Sequence, residues 1–156
     1  MEKLVLASTG ADADAVVAIE RRHTELGTAA AMKTLHVLNM VPRPYDVVRA
    51  ARDDLVWWAY SRLQPYLERE ADLFFPALPS SSEADDAARD ARYRLTEIAA
   101  AVTRLRTDDT AHDIAADAIA LRSHLTAFFE TQQHRILPYL AFSRRPIHEL
   151  WQLVNT

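Results

Sequence analysis

The sequence predicts an all-α protein: four long helices in an up-down-up-down bundle, followed by a short C-terminal helix. Three observations carry this. Apolar residues recur at three-and-four spacing through four separate segments. The breaks between them are short and rich in proline, serine, threonine and aspartate. No stretch alternates with period two between turn residues, which argues against strands.

The first helix begins after Ser8-Thr9-Gly10, where Asp12 or Asp14 is expected to cap, and runs to about Asn39. Its buried stripe is Ile19, His23, Leu26, Ala30 and Val37. Val41-Pro42-Arg43-Pro44 ends it. A second helix runs from about Tyr45 to Phe74, with Val48, Leu55, Ala59, Arg62, Tyr66 and Glu70 near one line. Pro65 lies inside it and predicts a kink, because proline lacks the backbone donor and crowds the preceding turn. Pro76, Pro79 and Ser80-Ser81-Ser82 make the next break, with a serine as the expected cap.

Helix three, about Glu83 to Arg106, carries Ala88, Ala91, Leu95, Ile98, Val102 and Leu105 on one stripe. The turn Thr107-Asp108-Asp109-Thr110 leads to helix four, about Ala111 to Leu137, which buries Ile114, Ala118, Leu121, Leu125 and Phe128. Short connections between long helices favour antiparallel neighbours. The chain therefore reads as one domain, residues 1–156, with a core of about 12–140 and a tail of 143–156. In the tail, Pro146 suits the start of a short helix carrying Ile147, Leu150, Trp151 and Val154. In Trp57-Trp58, adjacent helical positions diverge by about 100°, so one ring is expected in the core and the other outside. An outward Trp57 near Trp151 would form a homodimer surface.

Composition removes several function classes. At 156 residues with 49% hydrophobic and 26% charged residues, the chain can bury one real core. Two glycines leave no phosphate-cradling loop and no nucleophile elbow. The absence of cysteine excludes disulfides, thiolate nucleophiles and zinc-thiolate sites. A net charge of −4 argues against nucleic acid as a partner. No apolar run approaches the roughly 18 residues that span a bilayer, so no membrane partner is expected. Met1–Ala7 does not read as an export signal, and the expected location is cytoplasmic.

Residues 67–78, LEREADLFFPAL, and 129–140, FETQQHRILPYL, share a glutamate, a proline and a final leucine at a constant offset of 62. The second and fourth helices thus end alike, as in a duplicated helix pair. The first of these endings, E-x-x-L-F-F-P-A-L from Glu70 to Leu78, resembles the hemerythrin-like (HHE) cation-binding family. Ile19-Glu-Arg-Arg-His23-Thr-Glu-Leu26 is similar to that family's opening E-H-x-x-L element. The resemblance covers roughly residues 15 to 140. It implies a four-helix bundle around a carboxylate-bridged di-iron centre that handles dioxygen, nitric oxide or iron.

Carried over by position, most of the implied ligands are missing. His23 and Glu70 match. The histidine expected on helix two falls at Tyr66, that on helix three near Arg92 or Tyr93, and that on helix four at Phe128, with Gln132 at the next ligand position. Arginine and phenylalanine cannot stand in for imidazole donors. The leading expectation is a non-catalytic bundle that lacks the di-iron site, needs no cofactor, and binds a small molecule in its interior or a protein partner. There His23, Arg62, Tyr66 and Glu70 would form a buried polar network or the floor of a pocket, with His124, Phe128 and Gln132 as further ligand-binding candidates.

A second reading keeps iron. His124, one turn before Phe128, would join His23 and Glu70 as a mononuclear site, with Tyr66 as a phenolate donor. A third uses Glu70 as a base with Tyr66 or His23 as an acid, but no nucleophile–base pair stands at a recognisable spacing. His36, His112, His134 and His148 are expected outside any site.

Overall fold

The computed structural model describes residues 9–156, and every regular element among them is helical. Met1–Ala7, read above for an export signal, and Ser8 of the first break lie outside the described residues.

Helix α1 spans Gly10–Met40. Its cap is Thr9, an extended residue whose hydroxyl accepts the Asp12 amide at 3.1 Å. That corrects the expected Asp12 or Asp14 cap: the residue just ahead of the helix is the one whose short side chain reaches the third amide. Asp12 is left inside the helix, where it is buried.

Helix α2, Tyr45–Trp58, passes through a π-helical turn, Ala59–Leu63, into α3, Gln64–Phe74. The turn stands where a kink at Pro65 was expected. Pro65 has no amide to give, and the Gln64 amide reaches back five residues to the Ala59 carbonyl. The same device recurs ahead of Pro138, where the Leu137 amide reaches the Gln132 carbonyl. A widened turn shifts every residue beyond it around the helix axis. Leu63 therefore takes the inward place, fully buried, and Arg62 is exposed, which corrects its assignment to the inner line.

Helix α4, Ser82–Thr107, is capped by Ser81, and α5, Ala111–Thr131, by Thr110; each hydroxyl accepts an amide at 3.1 Å. A π turn over Gln132–Ile136 leads into α6, Leu137–Leu140, and the chain continues to α7, Ile147–Val154. Helix α4 lies along α5, α5 along α1, α1 along α2, and α7 packs on both α1 and α3. Ile19, Leu55, Phe74, Ile98, Leu121 and Phe128 from five helices fill the shared core.

The tail packs on its own chain, with Ile147, Leu150 and Val154 buried. Pro146 offers α7 no side-chain cap, and Asp12 of α1 supplies one: its Oδ1 accepts the His148 amide at 3.1 Å and lies 2.7 Å from His148 Nδ1. A second buried charge closes the other end of the molecule. The Arg52 guanidinium donates to the carbonyls of Leu105 and Asp108 at 2.8 and 2.9 Å, satisfying the last turn of α4. The two adjacent tryptophans diverge as expected, Trp58 buried and Trp57 63% exposed. Among the described residues no helix is long and apolar enough to cross a membrane.

Candidate functional site

Three predicted residues meet in the interior. His23 projects from the buried stripe of α1, Glu70 from α3 just beyond the first π turn, and Gln132 from the start of the second. Glu70 is completely buried, Gln132 is 1% exposed and His23 is 7% exposed. His23 Nε2 stands 2.9 Å from both Glu70 oxygens, and the Gln132 side-chain amide donates to Glu70 Oε1. A carboxylate only accepts, so Nε2 carries the hydrogen of this contact. Burying the carboxylate without such donors would cost several kcal/mol.

Tyr66 sits one turn before Glu70 and is equally buried. Its hydroxyl has no hydrogen-bond partner among the described residues. Burial, and after it the negative charge of Glu70, pushes the phenol well above its ordinary range, so it stays neutral. The Arg22 guanidinium, 5.5 Å from the ring centre, opposes that shift. Gln132 Oε1 is a second buried acceptor with no partner among the described residues.

The remaining predicted positions lie elsewhere. His124 is half-buried on the α4–α5 seam, its Nδ1 3.0 Å from Arg94 and its Nε2 3.8 Å from Glu97. It does not join His23 and Glu70. A full turn separates it from Phe128, and that turn faces α4. Phe128 is a fully buried core ring beside Phe129, their centres 5.8 Å apart. Arg92 lies over Phe75 and Tyr93 edges against His124, and both are exposed; neither faces the centre. Arg62, exposed, takes no part. His36, His112 and His134 are exposed and take no part in the site.

One residue of the site went unread in the sequence. Phe129 stacks on the His23 ring at 4.4 Å and 20°, fixing its plane. The signal was present in the repeat, since Phe129 stands opposite the buried Leu67 at the offset of 62. His23 and Phe129 also line a groove of about 480 Å³ between α1 and α5, with Thr24, Thr28 and Thr126 on its walls.

The donor set does not suit a metal. Among the described residues no three histidine, aspartate or glutamate side chains are grouped so that they could hold an ion. A di-iron centre needs several nitrogen and oxygen donors for each metal, and here one imidazole and one carboxylate are committed to each other. The arrangement holds a charge in the core, orients the His23 ring, and presents one edge of that ring to a groove. No protein-family model, no curated protein and no solved structure matches the chain.

Proposed function

We propose that the chain is a hemerythrin-like, up-down-up-down four-helix bundle in which a hydrogen-bonded network has replaced the family's di-iron site, and that it works as a non-catalytic small-ligand-binding protein. The observation that carries this is the double occupation of the buried Glu70 carboxylate by His23 and Gln132. Each of the three comes from a helix that the family resemblance assigns to the metal site. Pairing of α1 with α2 and of α4 with α5 across short turns supports the bundle topology. The groove beside His23 supports a ligand of modest size, held by stacking on Phe129 and by polar groups at its walls.

Elemental analysis of protein purified from iron-supplemented medium tests the metal half of this proposal. Less than a tenth of an iron per chain is expected. About one iron per chain, lost in both Glu70→Ala and His23→Ala, would overturn it in favour of a mononuclear iron protein. A thermal-shift screen of small polar and aromatic compounds tests the other half: hits should disappear when Thr126→Trp fills the groove.

A further inference from the structure

We infer that a cleft remote from His23, between the α3–α4 connection and the turn before α7, binds a small amphipathic carboxylate. Its apolar tail would lie on the cleft floor, and its head between Arg144 and Arg145.

The cleft holds about 700 Å³, within the range of small-molecule sites. Its apolar walls come from three parts of the fold: Leu73 of α3, Leu78 of the following connection, and Leu150 of α7, with Phe142 beside them. Phe142 is 66% exposed, so its ring is open at the edge of the cleft. The turn that holds it also carries both arginines. Their guanidinium groups are exposed and make no hydrogen bond or ion pair among the described residues, while the Ser143 hydroxyl donates to the Arg145 carbonyl and ties the turn. Arg62, Arg69 and Arg122 are likewise unpaired among the described residues, but none of them lines this cleft, where Arg144 and Arg145 stand together beside apolar walls.

Apolar surface beside two uncommitted guanidinium groups matches a ligand with one greasy end and one anionic end. Guanidinium meets carboxylate through two parallel hydrogen bonds, a geometry lysine cannot offer. One carboxylate, Asp72, also lines the cleft, so two positive charges face one negative charge there. That balance suits a monoanion. A polyanion such as a nucleotide would meet Asp72 and a chain of net charge −4.

The test uses the whole chain, with decanoate below its micellar concentration as the probe and calorimetry as the readout. One saturable site is expected. The double variant Arg144→Ser/Arg145→Ser should weaken binding by roughly tenfold or more, and Asp72→Asn should tighten it by about threefold, since it removes the opposing charge. Decanol should bind at least roughly tenfold more weakly than decanoate. All three substitutions are at exposed positions, and circular dichroism checks that each variant is folded. Equal binding of decanol and decanoate, no effect of the arginine pair, or no decanoate binding at millimolar concentration would each overturn the inference. So would association with phosphatidylglycerol vesicles in the absence of decanoate binding, which would make the turn a membrane contact instead.

Discussion

Gln132 donates its side-chain amide to the carboxylate of Glu70 across 62 residues of sequence. The same offset relates the two helix endings, so the pair joins positions that match in the two similar endings. One of these matched positions carries the donor and the other the acceptor, and His23 from the first helix supplies the second donor. Two carboxylates at these positions would repel in a dry core, whereas an amide N–H offers the carboxylate a donor.

Removing the acceptor should be expensive. Glu70→Ala leaves the buried His23 and Gln132 donors without a partner and is expected to cost about 3–5 kcal/mol. Gln132→Ala removes one of two donors and should cost about 1–3 kcal/mol. Urea denaturation monitored by circular dichroism measures both. A loss below 1 kcal/mol for Glu70→Ala would mean that the carboxylate is not held as described.

Tyr66→Phe should behave in the opposite direction. The hydroxyl is buried without a partner, and deleting it is expected to leave stability unchanged or raise it by about 1 kcal/mol. A clear loss in the same assay would show that the hydroxyl bonds to a water or ligand inside the protein.

The π turn makes neighbouring residues unequal. Leu63→Ala should cost about 2–5 kcal/mol as a core truncation, and Arg62→Ala should stay within about 0.5 kcal/mol. Equal costs would place Arg62 back on the inner line and remove the widened turn.

Asp12 ties the tail helix to the first helix. Asp12→Ala removes the acceptor of the His148 amide, and a loss of about 1–2 kcal/mol is expected, as for other helix caps. Amide hydrogen exchange should rise most in residues 147–154. Unchanged exchange there would mean that burial of Ile147, Leu150 and Val154 holds α7 without the cap.

Asp108 predicts a pH dependence. Burial first, then the nearby carboxylates of Asp117 and Asp113, raises its pKa to about 6; Arg52 acts the other way. The folded protein therefore holds a proton that the unfolded chain releases near pH 4. Stability from this group is present below about pH 4 and falls as pH rises toward 6. Its charge also sits at the C-terminal end of α4, where the helix dipole disfavours an anion. Asp108→Asn should raise the melting temperature at pH 7 and flatten its change between pH 4 and 6. A steeper profile in the variant would reverse the assignment.

Much of the fold was legible because helix formation and burial stripes are local properties. Ile19, His23, Leu26, Ala30 and Val37 were placed inside by spacing alone, as were Ile114, Leu121 and Phe128. A serine cap within Ser80-Ser81-Ser82 and the break at Pro42-Arg43-Pro44 were equally readable, and the structure selects Ser81. Two buried charges also had a signal that went unread: Asp12 stands four residues before Val16, and Arg52 four after Val48. Both are inward by spacing, but a buried charge needs a partner, and spacing within one helix does not supply it.

The site was legible only in part. His23, Glu70 and Gln132 came from a resemblance and a repeat, and the structure brings them together. Arg62 and His124 failed for different reasons: a π turn changed the register of the second helix, and Arg94 and Glu97 engage His124 on another face.

The sequence by itself determined an all-helical chain, its breaks, its inward stripes and the residue types available for chemistry, because each of these depends on neighbours within a few turns. Only the tertiary structure decided which polar groups meet. That choice depends on how far each helix is rotated when it reaches the centre, and a single widened turn alters it without altering the pattern of apolar residues.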